Sequence, residues 1–109
     1  MAELEGDRVA EIEIETHIDP AGTCIVTLAG ELDTSNVASL EATMASITQQ
    51  SPPRLIFDLG DLRFMDSAGI AVLLNAASTS SSVQLRDPSP IVQRVLEVTG
   101  LTGVLPTES

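Results

Sequence analysis

The sequence predicts a single α/β domain, in which a mixed β-sheet of four to five strands packs against three to four α-helices. The hydrophobic pattern changes period along the chain in the order strand, strand, helix, strand, helix, strand, helix. The chain has 109 residues, 43% hydrophobic and 19% charged, which is material for one compact core with little room for a second. We therefore expect one domain over residues 1–109, with a core of about 9–105 and short flexible ends.

The first two strands are predicted from alternation and from the turn between them. In the segment Val9–Ile18, isoleucine or threonine alternates with glutamate or histidine from Glu11 onward, which is the period of a half-buried strand. Its predicted inner face consists of Ile12, Ile14, Thr16 and Ile18. Asp19–Gly22 (DPAG) has Pro and Gly at turn positions, and the β-branched segment Thr23–Gly30 (TCIVTLAG) follows. Together these segments predict an antiparallel hairpin, in which Cys24 is a small buried thiol.

The first helix and the third strand follow. Apolar residues at spacings of three and four predict a helix that ends before Pro52. Its apolar side consists of Val37, Leu40, Met44 and Ile47. The residues that we expect to cap its first amides are Asp33, Thr34 or Ser35. The apolar run Leu55–Phe57, bounded by prolines and acids, then predicts a central strand covered on at least one face.

The last third of the chain repeats the helix and strand pattern. A largely buried helix begins at Ser67 and ends in the polar segment Ser78–Ser82, and Val83–Asp87 forms a short strand. The strand-helix-strand stretch Arg54–Leu85 has the composition of a right-handed parallel crossover. A third helix follows, with Ser89 as its cap, Pro90 at its first position and Gly100 just past its end. The final residues (VLPTES) are expected to add a short edge strand.

Charge and composition exclude several classes of partner. The chain has 16 acidic residues, five arginines and no lysine, which gives a net charge of -11. Binding to nucleic-acid phosphates depends on cations, and stacking on bases depends on aromatic side chains, of which this chain has two. We therefore expect no direct nucleic-acid binding and no membrane binding. Because the amino-terminal segment lacks the basic and apolar regions of a signal peptide, we expect a cytoplasmic protein.

Ser67, in the segment Arg63–Leu74 (RFMDSAGIAVLL), could be a nucleophile, a helix cap or a modification site. Residues 65–69 match the second half of a G-x-S-x-G elbow, but Met65 stands where the first glycine is required. A serine nucleophile also needs a base, and the only histidine, His17, lies on the polar face of the first strand. We therefore expect no catalytic residues and no enzyme.

A bound ion or cofactor has little support in the sequence. Asp58, Asp61 and Asp66 recur near the end of a strand and could collect a divalent cation, but their spacing specifies none. The chain has no glycine-rich motif of the kind that cradles phosphates. We expect neither a metal nor a cofactor.

The structural role expected for Ser67 is that of a helix N-cap, worth ~1 kcal/mol. That role leaves open why such a cap lies at a strand-turn-helix corner, where the hydroxyl is accessible and the helix behind it is anchored in the core. A kinase could reach the hydroxyl there.

The same region carries a family resemblance. Leu28–Asn36 (LAGELDTSN), Phe57–Leu74 (FDLGDLRFMDSAGIAVLL) and Asp87–Leu101 (DPSPIVQRVLEVTGL) resemble the STAS-domain anti-sigma factor antagonists of the SpoIIAA type. The resemblance runs from about Ile12 to Leu105 in order. The G-E-L-D and F-M-D-S elements are specific when they occur together, whereas either alone is weak.

The resemblance implies a STAS fold and a partner switch. In that family, the first serine of D-S-[ST]-G is phosphorylated by an anti-sigma factor that is also a serine kinase. The unphosphorylated form binds that kinase and frees a sigma factor, and a serine phosphatase restores this form. Carried onto this chain, the acceptor is Ser67. The partner-binding residues implied are Asp33, Thr34, Asp66, Ser67, Ala68 and Gly69.

Two departures from the family pattern are present. Ala68 replaces the second hydroxyl of the motif, and the serine-rich segment between Leu74 and Val83 is shorter than in relatives. The alternative interpretation is a STAS module without a switch, which acts as a scaffold or as the small subunit of a signalling or lipid-transport assembly. A kinase partner distinguishes the two.

Overall fold

In the computed structural model, which describes residues 11–80 and 82–108, strands and helices alternate in the predicted order. The strands are β1 (Ile12–Ile18), β2 (Thr23–Leu32), β3 (Arg54–Met65) and β4 (Val83–Arg86). The helices are α1 (Val37–Gln50), α2 (Ser67–Thr79) and α3 (Pro90–Val98). The sheet has the order β1-β2-β3-β4, in which β1 is antiparallel to β2 and the other neighbours are parallel. The predicted α/β class and hairpin are confirmed. Val9 and Ala10, predicted in the first strand, lie outside the described residues.

One face of the sheet supports the hydrophobic core. Alternate residues of β2 are buried there, and Leu55 and Phe57 of β3 lie beside them. The buried helix residues of the same cluster are Leu40, Met44, Ile47, Ile70, Val72, Leu73, Ala76, Val92 and Leu96. Because all three helices contribute to this one cluster, they pack as one layer on the sheet. Cys24 is 1% exposed within this cluster, and burial raises the pKa of its thiol.

The first strand is buried over only half of its length. Ile12 and Ile14 are half-buried and pack against the core, as predicted. Thr16 and Ile18 were expected on the same inner face, but Thr16 is exposed and Ile18 is 51% exposed, so this part of the prediction is wrong. The physical reason is that β1 is an edge strand, whereas the helices connect β2, β3 and β4 and cover the middle of the sheet.

The sequence predicts the third strand from the apolar run Leu55–Phe57 and the Asp58–Leu59 pair after it. In the structure, β3 continues six residues beyond Leu59, to Met65. Its pairing with β2 shifts register twice, between Asp58 and Asp61 and again between Leu62 and Phe64. Each shift inserts an extra residue into β3, which is a β-bulge. The buried residues of this part, Leu59, Leu62 and Met65, are therefore three apart, and the alternation that identifies a strand in a sequence is lost.

The prediction for the start of α1 is wrong by one to three residues. Val37 is the first helical residue and Asn36 occupies the N-cap position. The Asp33 carboxylate accepts hydrogen bonds from the backbone amide and the hydroxyl of Ser35, at 2.9 and 2.6 Å, so it stabilises the turn that precedes the helix. The predicted start and end of α3 are confirmed. The Ser89 side chain accepts from the Val92 amide, Pro90 is the first residue, and Gly100 has φ of 75°.

The carboxyl-terminal tail adds one isolated bridge to the sheet, in place of the short edge strand that the sequence predicts. Leu85 forms a parallel bridge with Thr107, and its amide donates to the Pro106 carbonyl at 2.8 Å. Glu108 forms an ion pair with Arg86, and this hydrogen bond holds the pKa of the Glu108 carboxyl below its usual value.

The longest helix, α1, has 14 residues. Within residues 11–80 and 82–108, no helix combines the length and the apolar character that crossing a membrane requires.

Candidate functional site

The candidate site lies where two parallel strands end side by side. Leu32 at the end of β2 pairs with Met65 at the end of β3, and the Asp66 amide donates to the Leu32 carbonyl at 3.2 Å. Asp33 and Asp66 are the next residues of the two strands, so the fold places them next to each other. The turn before α1 and the first turn of α2 therefore form one surface, as the resemblance implies.

Asp66, and not Ser67, is the N-cap of α2. Its backbone is extended, and its carboxylate accepts from the Ala68 amide at 2.9 Å and from the Gly69 amide at 3.4 Å. The prediction of a Ser67 cap is wrong, because Asp is as good a cap as Ser and stands one residue earlier, where the chain leaves the strand. The Asp66 carboxylate also lies at the positive end of the helix dipole.

Because Asp66 caps α2, the Ser67 side chain is available. Ser67 is the first residue of α2 and is exposed. Within the described parts of the chain, its hydroxyl has no hydrogen-bond partner. The helix behind it is fixed, because Ile70 is 7% exposed and Leu73 is 0% exposed in the core. A reachable hydroxyl is thus mounted on a firmly packed helix.

Gly69 has a packing role beneath this surface. It is buried, and a Cβ atom at this position would lie 2.6 Å from the Met65 Cγ and 2.7 Å from a Leu32 methyl carbon. Only a glycine lets the first turn of α2 approach the ends of β2 and β3 this closely. Of the residues that the resemblance implies for partner binding, Gly69 therefore lies below the surface and Ala68 is half-buried.

The turn before α1 contributes exposed hydroxyls. Thr34 and Ser35 are exposed, and Asp33 is half-buried because its carboxylate is bonded to Ser35. The sequence predicts Ser35 only as a candidate cap for α1. Its place in a four-residue D-T-S-N turn next to the resemblance motif is the signal that could have identified it as part of the surface.

Arg63 and Phe64 lie beside the site and were missed by sequence reasoning. The second bulge of β3 falls at Arg63, and Phe64 is 45% exposed. The Arg63 guanidinium lies 3.6 Å from the Glu31 carboxylate, with its side chain 70% exposed. The alternation rule failed here because a bulge turns two successive side chains outward.

A catalytic triad is not assembled. His17 pairs with Ile25, seven residues before Leu32 on β2, so it lies roughly 20 Å along the strand from the Ser67 end. The exposed position of His17 on β1 is confirmed.

The three aspartates that the sequence offers as possible cation ligands have separate roles in the structure. The Asp58 carboxylate accepts from the Gly60 amide at 3.1 Å, while Asp66 caps α2 and Asp61 is exposed. In the part of the chain that the structure describes, no group of three or more His, Cys, Asp or Glu side chains could hold a metal ion.

A comparison of the sequence with models of protein families identifies the same fold. A family model described as "Mlab, STAS domain" matches residues 16–106. The chain belongs to the STAS domain family. The match includes both turns of the candidate site and all three helices, so the STAS fold predicted from the sequence is confirmed.

This STAS domain is similar to known anti-sigma factor antagonists. It is 32% identical over 102 residues to the anti-sigma F factor antagonist of Paenibacillus polymyxa, which covers 88% of this chain and 84% of the relative. Its structure resembles that of an anti-sigma factor antagonist from Mycobacterium paratuberculosis, with a TM-score of 0.82 and 25% identity over 89% of this chain and 85% of the other.

SpoIIAA shares the fold of this STAS domain. The unphosphorylated form has a TM-score of 0.74 at 24% identity and covers 89% of each chain. The phosphorylated form of the Bacillus protein has a TM-score of 0.70 at 24% identity, over 89% of this chain and 92% of that chain.

Proposed function

We propose that this STAS domain is an anti-sigma factor antagonist that is switched off by phosphorylation of Ser67. Unphosphorylated, it binds an anti-sigma factor serine kinase in the cytoplasm and thereby frees a sigma factor. The kinase phosphorylates Ser67 and a serine phosphatase removes the phosphate, so this chain is a substrate and a binding partner rather than an enzyme. The observation that carries the proposal is the exposed Ser67 hydroxyl at the first position of a helix anchored in the core.

The division of roles between Asp66 and Ser67 supports a modification site. Asp66 bonds to the first amides of α2, so the helix start does not depend on the Ser67 hydroxyl. A hydroxyl with no structural bond can be phosphorylated without loss of a contact that holds the fold. Several proteins that are similar to this chain are anti-sigma factor antagonists, and one such protein, SpoIIAA, exists in a phosphorylated form.

The proposed contact surface combines the two turns. Asp33 and Thr34 before α1 lie next to Asp66, Ser67 and Ala68 at the start of α2. Gly69 lies below them, where its lack of a side chain lets the first turn of α2 approach Leu32 and Met65. A partner that covers this surface would cover the acceptor hydroxyl as well. Binding and phosphorylation then use the same residues, which is what a partner switch requires.

Phosphorylation acts at the interface and not on the fold. A phosphate of charge about -2 at a helix N-terminus is stabilised by the helix dipole by ~0.3 to 1 kcal/mol, but it stands beside the Asp66 carboxylate, so these effects oppose each other. When a partner covers this surface, the added charge must be desolvated. It is also repelled by any acidic group that the partner places against it. A loss of about 3 kcal/mol weakens binding about a hundredfold.

The acceptor is tested by incubation with ATP and candidate anti-sigma factor kinases, followed by intact-mass measurement and peptide mapping. We expect one added phosphate on the wild type, none on Ser67→Ala, and one on the matched control Ser35→Ala, which removes an exposed serine from the adjacent turn. Phosphate on Ser67→Ala would assign the acceptor to another residue and contradict the proposal.

The second candidate function is a STAS module without a switch, as a scaffold or the small subunit of a larger assembly. One observation favours this second function: the matching family model is described by the name Mlab and not as an antagonist. A STAS module without a switch should bind its partner stably, and the addition of ATP should not reverse this binding. The phosphorylation experiment therefore distinguishes the two functions.

A further inference from the structure

The carboxyl-terminal tail lies along the outer side of β4, which is an edge strand of the sheet. The Leu85 amide donates to the Pro106 carbonyl, and the Glu108 amide donates to the Leu85 carbonyl, both at 2.8 Å. Thr107, between these two tail residues, forms the parallel bridge with Leu85. The tail therefore occupies both backbone groups that Leu85 directs away from β3.

The Glu108 side chain joins the tail to two strands. On β4, the Arg86 guanidinium donates through Nε to one carboxylate oxygen of Glu108, and its Nη2 lies 3.5 Å from the other, Oε2. On β3, the Arg54 Nη2 lies 3.8 Å from the same Oε2. Two of the five arginines of this acidic chain thus converge on one carboxylate. Because hydrogen bonds between a guanidinium and a carboxylate are stronger than those between neutral groups, Glu108 is the residue that fastens the tail.

The sheet itself positions the two arginines. Leu85 is 0% exposed in the core, and neighbouring residues of a strand point to opposite faces, so Gln84 and Arg86 lie on the face that the helices do not cover. The Gln84 side chain accepts a hydrogen bond from the Arg54 Nε at 3.1 Å, which directs Arg54 toward β4. The carboxylate site that Arg54 and Arg86 form is therefore a feature of the sheet and not of the tail.

The end of the tail can leave β4 without disturbing the core. Leu105 is 1% exposed, belongs to the core cluster, and donates its amide to the Leu101 carbonyl at 2.9 Å. After it, Pro106 and Thr107 are exposed and Glu108 is half-buried. Detachment of residues 106–108 therefore breaks two backbone hydrogen bonds and the contacts of Glu108, but it removes no apolar side chain from the core cluster.

We propose that residues 106–108 are a strap, fastened by Glu108, that closes the β4 edge and opens without unfolding of the domain. An edge strand with unpaired N–H and C=O groups is a template on which another chain can add a strand, and proteins protect such edges by covering them. The strap covers β4 at Leu85, and opening of the strap exposes this edge. The Glu108 carboxylate therefore controls whether β4 is available to a strand of another molecule. The proposal does not depend on the function assigned to Ser67.

Hydrogen exchange at the Leu85 amide measures the opening of the strap. Glu108→Gln keeps the size of the side chain and removes its charge, and we expect exchange at Leu85 to become roughly tenfold faster, because a charge-assisted hydrogen bond is replaced by a weaker neutral one. The amides at the centre of β2 should keep their wild-type rates, because the domain stays folded. The control Glu97→Gln removes an exposed carboxylate from α3 and should leave exchange at Leu85 unchanged. Unchanged exchange at Leu85 in Glu108→Gln, or an equal increase throughout β2, would overturn the proposal.

Light scattering tests whether the strap protects the edge. We expect a chain that ends at Leu105, and the full-length variant Glu108→Pro, to aggregate in concentrated solution while the wild type stays clear. Proline cannot donate to the Leu85 carbonyl, and this variant also lacks the carboxylate. The control Ser89→Ala loses the cap of α3 and is destabilised with its strap intact, so it should stay clear. Urea unfolding verifies that all three variants are folded. Clear solutions of both strap variants, or equal aggregation of Ser89→Ala, would overturn the proposal.

Discussion

Two neighbouring turns of this domain have the same local sequence pattern and opposite structures. Leu32-Asp33-Thr34 and Met65-Asp66-Ser67 are each an apolar residue, an aspartate and a hydroxyl residue, and Leu32 pairs with Met65. After β3, the helix begins at the hydroxyl residue itself. After β2, four residues intervene before the helix begins.

The difference lies in what each aspartate bonds to. Asp66 accepts from amides of α2 and so fixes a helix start, whereas Asp33 accepts from the amide and hydroxyl of Ser35 and so fixes a turn. Gly69 permits the first arrangement, because it lets α2 lie directly on the strand ends. In this domain, the hydroxyl on the packed helix is the one that a glycine follows two residues later, whereas Asn36 takes that place after Thr34.

The largest stability effect that this comparison predicts is at Gly69. Gly69→Val adds a branched side chain where even a Cβ atom would lie 2.6 Å from the Met65 Cγ, and we expect a loss of about 3 kcal/mol in the free energy of unfolding, at the upper end of overpacking effects. The control Gly103→Val places its side chain in open space. Urea unfolding measures both. Similar losses in the two variants would contradict the role of Gly69.

A smaller effect is expected when either aspartate is removed. Asp66→Ala should lower the free energy of unfolding by about 1 kcal/mol through loss of the N-cap, and it should raise the hydrogen-exchange rates of the Ala68 and Gly69 amides. Asp33→Ala removes bonds confined to an exposed turn, so we expect about half that loss and no change in the α2 amides. Faster exchange at the start of α2 in Asp33→Ala would show that the two turns are not independent.

The smallest effect is expected at the hydroxyls. Ser67→Ala and Thr34→Ala each remove an exposed side chain, and we expect changes within about 0.5 kcal/mol in the free energy of unfolding. Denaturant unfolding of the two variants measures this. A destabilisation above 1 kcal/mol in Ser67→Ala would mean that the hydroxyl supports the fold after all.

The sequence predicts most of the fold because hydrophobic period, prolines and glycines mark the elements locally. The hairpin around Asp19–Gly22 and the third helix from Ser89 to Gly100 are examples, since turn residues and caps carry their own conformational preferences. The bulged half of β3 was not predictable in this way. Its bulges depend on pairing with β2, which a local pattern does not contain.

The position of the candidate site could be predicted from the sequence, but the hydrogen bonds within it could not. The resemblance and the parallel strand ends both direct attention to Asp33, Asp66 and Ser67. Which residue caps α2 depends on where the chain leaves the strand, and this was decided by the Leu32 pairing with Met65. The exposure of Phe64 follows from the second bulge and could not be predicted for the same reason.

The most direct test of the account compares phosphorylated and unphosphorylated protein in two measurements on the same samples. Calorimetric titration with the anti-sigma factor that phosphorylates the chain should show about a hundredfold weaker Kd for the phosphorylated form, which corresponds to about 3 kcal/mol. The melting temperature should stay nearly constant, because the phosphate is added to an exposed hydroxyl that makes no bond within the described residues. Equal Kd values, or a weaker Kd accompanied by a large fall in melting temperature, would contradict a switch that acts by charge at the interface.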